Sequence, residues 1–148
     1  MSVTLRAAQA GDASALAGIL QDWVDATPWF PNLHNRAEDL AFISGLIRDQ
    51  QVTLADLTQT AVGFIAHSAG FISCLYVLGA HRGQGIGRAL LETAKSGASG
   101  PLKLWTFQAN AGARRFYLRE GFVETGRTPG NNEERLPDVE LTWQGALS

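Results

Sequence analysis

Three glycines alternate with other residues between two arginines, as Gly83, Gly85 and Gly87 between Arg82 and Arg88. Glycine has no side chain, so the backbone N–H groups of such a loop can approach a bound group closely. Where the loop opens a helix, those N–H groups and the helix dipole together favour an anion. The pattern predicts a phosphate cradle, and we interpret its ligand as a cofactor that carries a pyrophosphate.

The glycine stretch lies between two elements that would position it. The apolar run 71–78 before it is typical of a buried strand. After it, Ile86, Leu90, Leu91 and Ala94 recur at helical spacing and predict an amphipathic helix to about residue 96. The loop is therefore expected at the end of a strand and at the N-terminus of a helix.

Two other nucleotide-binding glycine loops do not fit this stretch. A P-loop ends in Gly-Lys followed by Ser or Thr, whereas Gly87 is followed by Arg88. A dinucleotide fingerprint has the spacing Gly-x-Gly-x-x-Gly. If Gly83 and Gly85 are the first two glycines, Arg88 occupies the place of the third. If Gly85 and Gly87 are the first two, Leu90 occupies that place. The cradle therefore belongs to neither class.

A second stretch combines a helix start, an apolar helix face and a helix stop. Asn110 is predicted to cap a helix that carries Ala113, Phe116 and Tyr117 at helical spacing. Gly121 is a C-terminal stop. The helix is thus expected to span about residues 110–120.

The remaining periodicity predicts one mixed α/β domain over residues 1–148, in the order β-α-α-β-β-β-α-β-α-β-β. Asp12 is predicted to cap the first helix, which ends before the proline-containing segment 27–32. Strands are predicted at 3–6, 52–56, 60–67, 71–78, 102–107, 122–125 and 138–143. The second helix, at 35–49, is expected to turn four apolar side chains inward: Leu40, Ile43, Leu46 and Ile47.

Composition limits the function classes. The chain has 148 residues, 45% of them hydrophobic, and a net charge of −2, which argues against a nucleic-acid-binding protein. One cysteine, Cys74, allows no intramolecular disulfide. The N-terminal residues do not resemble a signal peptide, and no apolar run is long enough to span a membrane. We therefore expect a cytoplasmic protein with no membrane partner.

The two motifs together resemble those of the GNAT superfamily of acetyl-CoA-dependent N-acetyltransferases. Arg82-x-x-Gly85-x-Gly87 after an apolar strand resembles the pyrophosphate loop of that superfamily. The resemblance covers nearly the whole chain. It implies a mixed, mostly antiparallel sheet of about seven strands with about four helices, splayed between the fourth and fifth strands. The second matching motif is Asn110-x-x-Ala113-x-x-Phe116-Tyr117-x-x-x-Gly121-Phe122.

The resemblance implies acetyl-CoA as co-substrate and no metal. The loop would bind the pyrophosphate mainly through backbone N–H groups, with arginine charge adding to the attraction. The fourth strand would receive the pantetheine arm by backbone pairing, as it would an added strand. The residues implied to bind the co-substrate are Leu75, Tyr76, Val77, Arg82, Gly83, Gln84, Gly85, Ile86, Gly87, Arg88, Asn110, Ala113 and Tyr117.

Tyr117 is implied as the general acid, which donates a proton or a hydrogen bond to the leaving thiolate of coenzyme A. Its alternative role is a core aromatic residue beside Phe116. Some members carry a glutamate base on the fourth strand, but residues 71–75 contain no carboxylate. His67 could take or relay a proton, although a solvent-exposed histidine at a strand end is the favoured interpretation. Cys74 could form an acyl-enzyme, but a buried small hydrophobic residue is favoured.

The acceptor site is less defined by the sequence. Trp29 and His34 lie in the segment between the first two helices, a region that shapes the acceptor pocket in this superfamily. Trp105 on the fifth strand is another candidate wall, and the acidic loop 131–134 could attract a cationic amine. The alternatives are packing for the tryptophans and a solvated loop for the acids.

These observations predict an N-acetyltransferase that moves an acetyl group from acetyl-CoA to a primary amine by direct attack. The acceptor would be a small molecule or a peptide. Two rival functions stay open, namely a non-catalytic acyl-CoA-binding or regulatory module and a transferase that uses another acyl-CoA donor. Homodimerisation also stays open.

Overall fold

A computed structural model describes residues 3–145 of the chain, and it confirms the predicted order of elements within that range. The predicted domain boundaries at residues 1 and 148 lie outside the described residues. The strands are β1 (Thr4–Ala7), β2 (Gln51–Leu57), β3 (Thr60–Ser68), β4 (Phe71–Val77), β5 (Leu102–Phe107), β6 (Val123–Thr128) and β7 (Asp138–Trp143). The helices are α1 (Ala13–Asp25), α2 (Arg36–Asp49), α3 (Ile86–Ser96) and α4 (Ala111–Arg119).

The seven strands form one sheet in the order β1-β2-β3-β4-β5-β7-β6. All neighbouring pairs are antiparallel except β4 and β5, which run parallel and share the single aligned pair Phe71 and Lys103. The Lys103 N–H donates to the Gly70 carbonyl oxygen at 2.8 Å, and beyond this point the two strands separate. The predicted splay between the fourth and fifth strands is confirmed.

A β-bulge bends β4 next to the splay. Ala66 of β3 aligns with Cys74, whereas the next residue, His67, aligns with Ile72, so that Ser73 is the extra residue of β4. A bulge kinks the strand and increases its local twist. The bulge lies immediately after the point at which β4 and β5 part.

Helices cover both faces of the sheet, and each face has its own apolar core. On one face, α3 and α4 cover a cluster that includes Ile65, Leu90 and Leu104, all at most 2% exposed. On the other face, α1 and α2 cover a cluster that includes Leu16, Ile43 and Phe64. Each fully buried side chain of this kind contributes about 1.5–3 kcal/mol. The sheet is thus packed on both of its faces.

For one residue of α2, the prediction that its side chain turns inward is wrong. Ile43 and Leu46 are buried as expected, and Ile47 is partly buried, but Leu40 is 41% exposed. The buried stripe runs through Asp39, Ile43 and Leu46, at helical spacing, and Leu40 lies beside it. The physical reason is that Leu40 follows Asp39 by one residue, which turns its side chain roughly 100° away from the buried stripe.

The Asp12 side chain does not cap α1 as the sequence predicts. A short 3-10 turn precedes the helix, and the Asp12 carboxylate accepts from the Gln9 N–H at 2.8 Å instead. It also accepts two hydrogen bonds from the Arg6 guanidinium, each at 2.9 Å. Arg6 first, and then the Gln9 N–H, lower the pKa of Asp12 to about 2. The carboxylate thus ties β1 to the start of α1.

Candidate active site

A cleft of about 650 Å³ opens where β4 and β5 separate. Its walls come from both strands, from the loop that leads into α3, and from α4 and α1. The lining residues are Trp23, residues 72–77, His81, Arg82, Gly83, residues 85–88, residues 104–107, Asn110, Gly112, Ala113, Phe116, Tyr117, Arg119 and Glu120.

The glycine loop enters α3 through a backbone that only glycine adopts easily. Gly83 and Gly85 have φ angles of 77° and 81°, in the left-handed region. Gly85 is the N-cap of α3, and its carbonyl oxygen accepts from the Ala89 N–H at 3.0 Å. No atom would contact a Cβ at either position, so conformation and not space requires glycine there. The first N–H groups of α3 are thereby presented to the cleft.

The charges around the α3 N-terminus favour an anion. The first turn of α3 holds no acidic residue. Arg82 and Arg88 both line the cleft. The Arg82 Nε donates to the Val77 carbonyl oxygen at 3.4 Å, and Arg88 lies 3.5 Å from a carboxylate oxygen of Glu120 while its side chain stays 71% exposed. Two cations and a helix dipole therefore act at one end of the cleft.

Residues 74–77 of β4 border the cleft along one edge of the strand. On the other edge, Phe64, Ile65 and Gly63 of β3 align with Tyr76, Leu75 and Val77. Within residues 3–145, no strand aligns with this part of β4 on the cleft side. An extended ligand could pair with that edge as an added strand would.

Asn110 and Tyr117 place α4 against the cleft. The Asn110 Oδ1 accepts from the Ala113 N–H at 3.1 Å, which confirms the predicted cap. Tyr117 is 7% exposed, and its ring packs edge-on against Phe116 and Phe122 at centroid distances of 5.1 and 5.3 Å. Burial, and secondarily Cys74, raises the pKa of the Tyr117 phenol. Tyr117 therefore keeps its proton at neutral pH and is a hydrogen-bond donor.

Aromatic side chains form the wall of the cleft on the side of α1 and α2. Trp23 of α1 packs against Tyr76 of β4 at a centroid distance of 5.5 Å. Trp105 and Phe107, two residues apart on β5, line the cleft opposite them. Trp29 does not line the cleft but packs edge-on against Phe107 at 5.7 Å, one layer behind it.

Three further residues selected from the sequence do not line the cleft, namely His34, His67 and Gln84. His34 bridges Glu38 and Glu133, with nitrogen–oxygen distances of 3.5 and 2.5 Å. His67 lies at the far end of β3, aligned with Gln51 and Ile72, and is partly buried rather than solvent-exposed. Burial lowers the pKa of His67, so its imidazole is neutral at pH 7.

Sequence reasoning missed several residues that line the cleft. Trp23 and Phe116 lie at apolar helical spacing, which by itself is typical of core residues. Phe107 ends a strand and gave no signal beyond its apolar character. Because β4 and β5 separate, these side chains line the cleft instead of filling the core. Periodicity within one element cannot show that separation.

A family model described as the Acetyltransferase (GNAT) domain matches residues 48–124, which hold β4, the glycine loop and α4. The chain belongs to the GNAT acetyltransferase family. Peptidyl-lysine N-acetyltransferase YjaB of Salmonella typhimurium is 31% identical over 129 residues, which cover 86% of this chain and 88% of that protein. The enzyme class is therefore that of an acetyltransferase.

Solved structures of GNAT proteins share the fold. The solution structure of apo YjaB from Escherichia coli has a TM-score of 0.80 at 28% identity, over 99% of this chain and 100% of that one. A GCN5-related N-acetyltransferase from Rhodopseudomonas palustris has a TM-score of 0.81 at 22% identity, over 97% and 96%. YncA from Salmonella typhimurium, solved with its cofactor acetyl-CoA, has a TM-score of 0.76 at 21% identity, over 100% and 96%.

Residues 3–145 of this GNAT domain contain neither a candidate membrane-spanning helix nor a candidate metal site. No helix there has the length and apolar character to cross a membrane. No group of three or more histidine, cysteine, aspartate or glutamate side chains there is placed to hold a metal ion.

Proposed function

We propose that this chain transfers the acetyl group of acetyl-CoA to a primary amine by direct attack. The observation that carries the proposal is the cleft, which joins the anion-favouring loop before α3 to the unpaired edge of β4. YncA, which shares the fold, was solved with acetyl-CoA. A pyrophosphate at one end and an extended arm along the strand fit this shape.

Different residues of the cleft bind different parts of acetyl-CoA. The backbone N–H groups at 83–88 bind the pyrophosphate, and Arg82 and Arg88 add charge. Residues 75–77 pair with the pantetheine arm, and Asn110 and Ala113 border the cleft on the other side. Gln84 does not line the cleft, so its side chain takes no part in this arrangement.

Tyr117 acts on the leaving sulfur. As the amine attacks the thioester carbon, negative charge develops on the carbonyl oxygen and then on the sulfur as the C–S bond breaks. The pKa of the Tyr117 phenol is raised by burial, above that of a thiol, near 8.5. Complete proton transfer to the thiolate would therefore be uphill, and the phenol stabilises the sulfur through a hydrogen bond that strengthens as charge grows.

Neither base considered from the sequence reaches the cleft, so water is the proposed acceptor of the amine proton. Residues 71–75 carry no carboxylate, and His67 does not line the cleft. Cys74 lines the cleft, but burial raises the pKa of its thiol to about 12, so it is not a nucleophilic thiolate at neutral pH. The absence of an activated nucleophile on β4 supports attack in a ternary complex over an acyl-enzyme.

The acceptor is a primary amine of a peptide or a small molecule. YjaB, the 31% identical relative, is named a peptidyl-lysine N-acetyltransferase. We therefore place the ε-amine of a lysine side chain first among the acceptors to be tested.

A panel of amines with a free-thiol readout tests the proposal. Acetyl-CoA is mixed with the protein and with lysine peptides, polyamines, arylalkylamines, arylamines or free amino acids. Amine-dependent release of coenzyme A, with an acetylated product seen by mass spectrometry, is expected for at least one class. Thiol release with no acceptor dependence, or none with any amine, would reject the transferase function.

A further inference from the structure

The β6–β7 loop places one carboxylate beside the aromatic wall of the cleft. Glu134 lines a small cavity of about 140 Å³ together with Trp105, Thr106 and Phe107. The same three residues of β5 also line the main cleft, so the cavity adjoins it. Glu134 is half-buried, and no hydrogen bond or ion pair engages its carboxylate among the described residues 3–145.

The second carboxylate of the cavity is already engaged. Asp138 is 8% exposed. It accepts a hydrogen bond from the Thr128 hydroxyl and another from the Asn132 amide nitrogen at 3.1 Å. Both carboxylate oxygens of Asp138 thus have partners, one at the end of β6 and one in the loop, which leaves Glu134 as the carboxylate open to a ligand.

The loop holds Glu134 in a fixed place. The Asn132 amide donates to the Leu136 carbonyl oxygen at 2.8 Å and accepts from the Leu136 N–H at 3.1 Å. Gly130, with a φ of 127°, lies so close to Arg135 that a Cβ there would be 3.0 Å from the Arg135 carbonyl carbon. These contacts bracket Glu134 on both sides, so binding at its carboxylate requires little ordering of the backbone.

Glu134 also acts across the cleft on the opposite strand. Burial first, and then Cys74, Tyr117 and Glu134, raise the pKa of Tyr76 on β4. The carboxylate of Glu134 therefore lies within electrostatic reach of Tyr76, which lines the main cleft. A cation between Glu134 and the exposed ring of Trp105, which is 42% exposed, would meet a negative charge and an aromatic face together.

We propose that Glu134, with Trp105 and Phe107, is the subsite that binds the acceptor as an alkylammonium ion. The substrate class is an aliphatic amine without a carboxylate next to it, such as a lysine side chain within a peptide. A free amino acid would bring its carboxylate towards Glu134, and an arylamine would arrive uncharged. The inference rests on the proposed function for the position of the donor and adds the chemistry of the acceptor.

A binding measurement tests the subsite without turnover. Nα-acetyl-lysine amide and its uncharged analogue Nα-acetyl-norleucine amide are titrated into the full chain, and tryptophan fluorescence is followed, because Trp105 borders the subsite. The lysine probe is expected to bind at least tenfold more tightly than the norleucine probe. Glu134→Gln is expected to abolish this difference, because the two probes differ only in the terminal ammonium group, whose charge Glu134 recognises.

The neighbouring residue supplies the matched control. Glu133 bridges to His34 and does not line either cavity, so Glu133→Gln is expected to keep the tenfold preference. Equal binding of the two probes by the wild-type chain, a preference that survives Glu134→Gln, or equal loss in both variants would overturn the inference. A chain that binds the lysine probe selectively yet acetylates no amine would refute the proposed function and leave the subsite standing.

Discussion

Two buried phenols face the same cleft, but their surroundings differ. Tyr117 packs in the α3/α4 core beside Phe116 and Phe122, whereas Tyr76 packs against Trp23 and Phe64 on the opposite face. Burial raises the pKa of both phenols, so both keep their protons. Only Tyr117 lies on α4, whose N-cap residue Asn110 and first-turn residue Ala113 border the proposed donor side of the cleft.

We expect Tyr117→Phe to lower kcat by about 10²-fold or more, because the hydrogen bond to the leaving sulfur is lost. The KM for acetyl-CoA should change less than about twofold, since the ring that packs in the core is kept. Steady-state assays that follow free thiol measure both constants. Tyr76→Phe is the matched control and should keep most of kcat; equal losses in both variants would contradict the role of Tyr117.

Substitution by alanine is expected to have opposite effects on stability at Gly85 and at Gly18. Gly85 has a φ of 81°, so Gly85→Ala should destabilise the fold by about 1–2 kcal/mol. Gly18 lies within α1 with an ordinary helical backbone and open space at its Cβ, so Gly18→Ala should stabilise it by about 0.5–1 kcal/mol. Urea denaturation measures both. Stabilisation by Gly85→Ala would mean that the loop does not need its left-handed conformation.

At the scale of elements, an ion bridge joins two loops beside the acceptor side of the cleft. His34, between α1 and α2, contacts Glu133 of the β6–β7 loop and Glu38 of α2. Burial lowers the pKa of His34, but Glu38 and Glu133 raise it more, and the net shift is upward. Asp39 also lies within range of the imidazole. The residue selected as an acceptor contact thus joins the loops that frame the acceptor wall.

The stability contributed by this bridge should depend on pH. A raised pKa in the folded state means that the contribution is complete below the ordinary imidazole pKa and is lost as pH rises through the folded-state value. The melting temperature of the wild type should exceed that of His34→Gln at about pH 5.5, and the difference should vanish by about pH 8.5. A difference independent of pH would contradict the bridge.

His67 supplies a control with the opposite sign. Its pKa is lowered by burial, so protonation at acidic pH favours the unfolded chain. Relative to His67→Gln, the wild type should therefore lose stability as pH falls below about 6.5. The two histidines together separate an effect of ion pairing from an effect of desolvation.

At the scale of the whole molecule, the splayed sheet gives the cleft two different sides. The face covered by α3 and α4 carries the glycine loop and Tyr117, and the face covered by α1 and α2 carries the aromatic wall. The two cores are separate clusters that share β2, β3 and β4, and the buried residues of β5 and β7 belong to the cluster under α3 and α4. Donor and acceptor are therefore expected to approach the reacting carbon from opposite faces of the sheet.

Acetyl-CoA should stabilise the folded chain, because it binds only the folded state. At a concentration about 100 times its Kd, the gain is about 2.7 kcal/mol. For a chain of 148 residues this corresponds to a rise in Tm of about 5–10 °C. Gly85→Glu should abolish the rise, since it places a carboxylate at the pyrophosphate position.

Gly100→Glu is the matched control for this measurement. It adds the same charge in place of a glycine with open space at its Cβ, beyond the C-terminal end of α3. The Tm rise should persist in that variant. No rise in the wild type at millimolar acetyl-CoA would refute donor binding, and a rise that persists in Gly85→Glu would mean that the pyrophosphate lies elsewhere.

The donor half of the site could be predicted from the sequence because its determinants are local. Gly83, Gly85 and the start of α3 are consecutive, and their backbone conformation follows from residue type. The Asn110 cap lies within one helical turn of the N–H that it satisfies. Of the residues predicted to bind the donor, all except Gln84 line the cleft. The order of strands and helices could be predicted for the same reason, because each element carries its own hydrophobic periodicity.

The proposed acceptor half of the site was decided by the tertiary structure. Trp23, Tyr76, Phe107 and Glu134 lie on four different elements, and no short-range pattern relates them. They meet because β4 and β5 part after a single aligned pair and because the bulge at Ser73 bends β4. The sequence determined an acetyl-CoA loop through backbone conformation and charge. Only the packing of distant elements decided which side chains line the proposed acceptor side of the cleft, because that depends on where the sheet opens.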